Sequence, residues 1–166
     1  MFPHMHSAEQ QRAIAVFDSG LGGLTVVRSL SEAMPGEDIF YLGDSARVPY
    51  GIKSLETVRR FAMEDAAFLL RFEPKLLVVA CNTASAAAIH AICGISTVPV
   101  VDVISPGVEA ALSITDGGIG VVATEATVRS GAYQRALQQA DPKRDVLAVA
   151  CPLLVPIVEE GRAEDD

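Results

Sequence analysis

The chain predicts an α/β fold in three layers, a mostly parallel sheet with helices on its faces. Short aliphatic runs recur without polar alternation, as strands covered on both faces read, and each is followed by a segment that reads as helix. Polar and small residues also gather directly after the strands, at 18–23, 43–51, 81–83 and 124–127, while no similar cluster marks the opposite edge. In open parallel sheets the carboxyl edge is where ligands bind.

Residues 13–17 form the first strand, and Asp18-Ser19-Gly20-Leu21-Gly22-Gly23 turns it into a helix over 24–34, closed by Pro35-Gly36. Residues 38–42 are the second strand, followed by a long loop to Gly51. Ser54 caps a helix running to Phe72, with Val58, Phe61, Ala62, Phe68, Leu69 and Phe72 on its buried side and its charges on a solvated face. The run 76–80 is a central strand ending at Cys81. From Thr83 the pattern is Ala-rich and helical until Gly94 supplies a stop. A fourth strand over 98–103 leads to a helix opening at Ser105-Pro106, a fifth over 119–123 to a helix over 127–140, and a sixth over 146–150 to a last helix after Cys151-Pro152. Residues 1–12 read as a loose tail, and Ser105-Pro106-Gly107 as a candidate domain boundary.

With 166 residues, half of them apolar, the chain can bury a real core. Its 13 Lys and Arg against 21 Asp and Glu leave a net charge of −8, and no basic run could track a phosphate backbone, so nucleic acid is not an expected partner. No Asp, Glu, Lys or Arg lies between Lys75 and Asp102, but Asn82, Gly94 and Pro99 cut that run into strand, helix and strand, which sets a membrane reading aside. Three cysteines, Cys81, Cys93 and Cys151, are odd in number and share no CxxC spacing, so a reducing cytoplasm fits better than a disulfide framework or a zinc site.

Cys81 is the residue around which the chemistry turns. It sits where a strand ends and a helix begins, and the positive end of the helix favours thiolate over thiol. Free cysteines are also commonly small buried hydrophobes, and the residues alone leave both readings open. A thiol hydrolase needs a histidine within reach, and His90 is nine positions on, across the helix and roughly 13 Å along it. No lysine sits at a strand end for pyridoxal chemistry, no ligand cluster suggests a metal, and the dinucleotide fingerprint fails because Thr25 stands at its third glycine. What survives is a thiol with a nearby acid, Asp18, among hydroxyls, amides and backbone N–H groups. That set suits proton transfer on a small anionic substrate.

Three blocks sharpen this: Asp18-Ser19-Gly20-Leu21-Gly22-Gly23-Leu24-Thr25, Leu42-Gly43-Asp44-Ser45-Ala46-Arg47-Val48-Pro49-Tyr50-Gly51 and Ala80-Cys81-Asn82-Thr83-Ala84-Ser85. Together they resemble the glutamate racemases of the aspartate/glutamate racemase superfamily. A fourth block, Cys151-Pro152-Leu153-Leu154-Val155-Pro156-Ile157-Val158-Glu159-Glu160-Gly161, resembles a further family block in the same order. The resemblance implies cofactor-independent interconversion of L- and D-glutamate for peptidoglycan by two thiols on opposite faces of the α-carbon, without a metal. It makes Cys81 one of these thiols and Asp18 its assisting acid or base, with Ser19, Pro49, Tyr50, Gly51, Asn82, Thr83, Thr124 and Thr127 holding the substrate. It also implies a first α/β domain over 13–104 and the first part of a second over 105–166.

The family's second thiol lies in a Gly-Cys-Thr-His-Tyr-Pro block that these 166 residues lack, and Cys151 matches a different block. The chain alone is therefore expected not to racemise at normal rates. Uncovered apolar surface is expected with it, and from that poor solubility, partial disorder or compensating self-association, a homodimer being one form of the last. A glutamate-binding or interaction fragment without turnover and an aspartate racemase-like enzyme are the alternative readings.

Overall fold

A computed structural model describes residues 12–162. All but Arg12 of the expected loose tail, and the acidic end 163–166, lie outside the described residues. Four parallel strands, β1 (Ile14–Asp18), β2 (Ile39–Gly43), β3 (Leu76–Val79) and β4 (Val100–Asp102), form a sheet in the order β2-β1-β3-β4. Alternate residues of β1 and β3 enter two separate cores. Ala15, Phe17, Leu77 and Val79 meet Val58, Ala62 and Leu69 of α2 (Leu55–Leu70) and Ala84, Ala88 and Ile92 of α3 (Asn82–Ile95). On the other face Ile14, Val16, Val78 and Ala80 meet Val26, Val27 and Leu30 of α1 (Leu24–Ala33). Burial on both faces is why these strands are apolar without alternation.

This order places a topological switch between β1 and β3. The chain leaves β1 through α1 on one face and leaves β3 through α3 on the other, which opens a crevice between the carboxyl ends of the two strands. Asp18 and Ser19 end one strand, and Ala80 and Cys81 follow the other.

A second, separate sheet pairs β5 (Ile119–Ala123) with β6 (Val146–Ala150) in parallel. Its inner residues Ile119, Val121 and Val146 rest on α4 (Ile104–Ile114) and α6 (Ala132–Ala140), around Ile104, Val108 and Leu137. Its outer residues Val122, Leu147 and Val149 face solvent. These strands are as apolar as β1 and β3 yet are covered on one face only, so the uncovered apolar surface expected from sequence is present.

Several elements depart from expectation. The helix over 127–140 is two helices, α5 (Glu125–Ser130) and α6, broken at Gly131, whose φ of 66° is left-handed and suits glycine. Gly94 does not stop α3, which continues to Ile95 and is closed by extended Ser96. On α2 the rings of Phe68 and Phe72 are about half exposed and stack edge-on at 5.3 Å beside Phe40 of the edge strand. The same helix carries one charge inward: Asp65 falls on the buried stripe with Val58, Ala62 and Leu69.

α4 begins at Ile104, a residue earlier than Ser105-Pro106 suggests, because the Asp102 carboxylate accepts hydrogen bonds from the Ile104 and Ser105 N–H groups at 2.6 and 2.8 Å. Replacing this side chain leaves two first-turn donors without their partner. Asp102→Ala will cost about 1 kcal/mol in denaturant unfolding, and Asp102→Asn clearly less. Equal losses in the two variants would show that the cap contributes nothing.

Candidate active site

Cys81 is the N-cap of α3. Its thiol donates to Ser19 Oγ at 3.3 Å, and Sγ accepts the Ala84 N–H at 3.4 Å. Asp18, buried at the end of β1, accepts the Gly20 N–H at 2.8 Å. The same turn is held from the side by Tyr41 of β2, whose hydroxyl donates to the Gly20 carbonyl at 2.8 Å. A Cβ on Gly23 would stand 2.6 Å from Asp18 Cβ, so glycine lets the turn close against its own acid.

The helix terminus does not make Cys81 a thiolate. Burial with only 4% of its surface exposed, and then the adjacent Asp18 charge, push the thiol up to about 11 from an ordinary value of 9, while the Ser19 and Ala84 hydrogen bonds pull the other way and lose. A macrodipole amounts to about half a charge, and desolvation of a buried anion outweighs it. The same burial and the neighbouring Asp18 and Cys81 raise the Tyr41 phenol to about 12.

Six of the expected binding residues, Ser19, Pro49, Tyr50, Gly51, Thr83 and Thr124, line one small cavity of about 60 Å³. That is room for roughly two waters. Across it the Thr83, Thr124 and Thr127 hydroxyls form a triangle with edges of 3.0, 3.2 and 3.0 Å, joining the start of α3 to the start of α5. Thr124 is also the cap of α5, accepting from the Thr127 N–H.

Tyr50 also belongs to a buried polar cluster behind this cavity. Its ring is buried, and its hydroxyl contacts the carboxylates of Asp44 and Asp65. Asn82 faces away, into a larger bay of about 480 Å³ shared with Thr124, Thr127 and Cys151, where its amide oxygen accepts from the Tyr133 hydroxyl at 2.6 Å. Burial first, and then the Asp102 charge, hold that phenol above its ordinary range. Ser19, Tyr50 and Thr83 do not border the bay; Cys81 itself lines neither space, and the small cavity is joined to the thiol through Ser19, its hydrogen-bond partner. Cys93 is exposed near the far end of α3, as is His90.

Three further residues belong to the site without having been singled out. Glu159, the last residue of α7 (Leu154–Glu159), lines the small cavity and reaches the Gly20 backbone, where an added Cβ would lie 2.8 Å from its Oε1. Tyr41 and Tyr133 complete the set; an isolated tyrosine in a strand or helix gives no sign of what its hydroxyl meets. Among the described residues no group of three or more His, Cys, Asp or Glu side chains is placed to hold a metal ion, and no helix is long and apolar enough to cross a membrane.

A parallel α/β sheet with a buried thiol and a carboxylate facing each other across its switch point defines the class: an α/β protein with a thiol-centred polar site at the carboxyl edge of its strands. The chain belongs to the Asp/Glu/Hydantoin racemase family, whose model matches residues 14–165. It is 51% identical over 156 residues to the glutamate racemase of Geobacter metallireducens, covering 93% of this chain and 58% of that protein. Among solved structures it resembles glutamate racemase isoform RacE1 from Bacillus anthracis, with a TM-score of 0.88 and 45% identity over 93% of this chain and 58% of that one. It also resembles the Francisella tularensis glutamate racemase solved with D-glutamate, with a TM-score of 0.87 and 44% identity over 91% and 57% of the two chains. The chain thus spans somewhat under three-fifths of the length of these relatives.

Proposed function

We propose that these residues are the Cys81-bearing part of a glutamate racemase, a cofactor-independent isomerase that interconverts L- and D-glutamate and so supplies D-glutamate for peptidoglycan. The observation that carries this reading is the Cys81 thiol hydrogen-bonded to Ser19, facing Asp18 across the β1–β3 crevice. Residues 13–104 would form the thiol-bearing domain, and those from 105 onward the start of a second.

An α-proton of an amino acid is weakly acidic, so its removal needs a strong base held close in a site that excludes water. A buried thiol that ionises only near pH 11 is such a base once its proton has been taken away. Asp18 is the acceptor at hand, and the substrate's ammonium group brings the positive charge that favours thiolate. Backbone at Tyr50 and Gly51 and the hydroxyls of Ser19, Thr83, Thr124 and Thr127 would receive the carboxylates, whose negative charge grows as the proton leaves. Inversion needs a second thiol on the opposite face. The hydrogen-bond partner of Cys81, Ser19, lines the small cavity, whereas Cys151 lines the larger bay and Cys93 is exposed near the far end of α3, which favours half of the reaction in this chain: proton exchange without inversion.

In heavy water the chain should exchange the α-proton of one glutamate enantiomer for deuterium, with net racemisation staying near background. Cys81→Ser should abolish the exchange. Exchange undiminished in that variant, followed by mass spectrometry, would remove Cys81 from the role given to it. Aspartate offered in place of glutamate distinguishes the neighbouring aspartate racemase reading.

A further inference from the structure

Behind the cavity wall lies a buried cluster that the reaction above does not use. The Tyr50 hydroxyl lies within hydrogen-bond distance of two carboxylates, Asp44 on one side and Asp65, at 2.8 Å, on the other. Both are buried, at 9% and 5% exposure. Arg47 spans them, with Nε 2.6 Å from Asp44 and an Nη 2.7 Å from Asp65, and also contacts Glu64 on the surface. A phenol has one hydrogen and can donate it to one carboxylate only. The second contact is a hydrogen bond only when that carboxyl carries a proton and donates to the phenol oxygen. The cluster therefore has a place for one proton more than its fully ionised form holds.

We propose that Asp65 is a positioning residue: by holding that proton it fixes Tyr50, and through Tyr50 the Pro49-Tyr50-Gly51 wall of the small cavity that Ser19, the partner of Cys81, also lines. The groups facing it are Asp44, Arg47 and Tyr50 from the segment between β2 and α2, and Glu64 from its own helix. The remaining surfaces of this core contribute Ala15, Phe17, Ala84, Ala88 and the Cys81 thiol. Burial raises the Asp65 carboxyl to about 6, the nearby Asp44 and Glu64 charges add to the rise, and the Tyr50 hydrogen bond and Arg47 oppose it. Below that midpoint both carboxyl contacts to Tyr50 are hydrogen bonds and the wall is fixed. Above it one is lost, and the wall of a cavity that now holds only about 60 Å³ is free to move. That the wall faces glutamate rests on the proposed function; that Asp65 holds the wall does not.

The test is a carbon-13 titration of the aspartate carboxyls of the 166-residue chain, recorded with the backbone amides of Tyr50, Gly51 and Ile52. Those amides should shift with the midpoint of the Asp65 carboxyl. Asp65→Asn, whose amide can donate to the phenol oxygen as a protonated acid does, should fix them at their low-pH positions throughout. Glutamate affinity, measured by calorimetry, should rise by about threefold between pH 5 and 7 in the unmodified chain and stay flat in Asp65→Asn. Amides that ignore the Asp65 midpoint, or that still titrate in Asp65→Asn, overturn the proposal. Amides that follow Asp65 while glutamate binds at no pH support the positioning role and remove the functional reading instead.

Discussion

Alkylation of Cys81 by iodoacetamide at pH 8 will be slower than that of an ordinary thiol by at least about tenfold, and exposed Cys93 will be modified first. The reason is the proton rather than the sulfur. Raising a thiol from 9 to about 11 leaves roughly a hundredfold less thiolate at this pH. Part of that loss is returned, because a thiolate of higher pKa is the better nucleophile, by a factor of about eight over two pH units. Burial then restricts access further. Mass spectrometry of the three cysteine peptides against time gives the order of modification. The Cys81 rate should still be climbing at pH 10. If Cys81 is alkylated as fast as Cys93 at pH 8, it is neither buried nor held neutral, and the helix terminus governs it after all.

The same shift carries a signed consequence for stability. A folded-state value raised above the unfolded one means that the native protein holds the proton more tightly than the unfolded chain does. The contribution is complete below pH 9 and is lost as pH rises through about 11, at an order of magnitude of 2 kcal/mol. Cys81→Ser should flatten that part of the profile in denaturant titrations.

β1 and β3 are legible in the sequence because burial on both faces imposes unbroken aliphatic runs, and the polar ends of those strands locate the crevice. β5 and β6 show where such reading stops. Their composition is that of strands covered twice, yet Val122, Leu147 and Val149 lie open, because coverage depends on what is folded against a strand and not on the strand itself. Asp65 was hidden for the opposite reason. A charge within a helix reads as solvated unless its partners are known, and Arg47 and Tyr50 arrive from a loop 15 to 18 residues away. Its place on the 58, 62, 65, 69 stripe was the available signal. The residues around Cys81 left a dipole-favoured thiolate and a buried neutral thiol both open, since a strand-to-helix corner shows the dipole but not the depth of burial. The break at Gly131 looked like an ordinary helical glycine because nothing local announces a left-handed φ.

Gly51, in the turn after β2, packs directly against Thr124 at the start of α5, and Gly51→Ala should act on both stability and ligand binding. A Cβ there would stand 2.6 Å from Cβ and Cγ2 of Thr124. Those atoms are not the free end of a long side chain. Thr124 is β-branched, caps α5 and closes the hydroxyl triangle with Thr83 and Thr127, so it cannot rotate away without losing the cap or the triangle. Either Thr124 retreats or the 50–52 turn does, and both line the cavity. Overpacking of this kind costs about 1–3 kcal/mol, and loss of the cap adds about 1 kcal/mol. Thermal unfolding should therefore move down by several degrees. A companion Thr124→Ser removes the Cγ2 methyl while keeping the hydroxyl. In Gly51→Ala/Thr124→Ser it should return part of the loss, because one of the two colliding carbons is gone. If the double variant is no more stable than Gly51→Ala, the collision lies elsewhere than at Thr124.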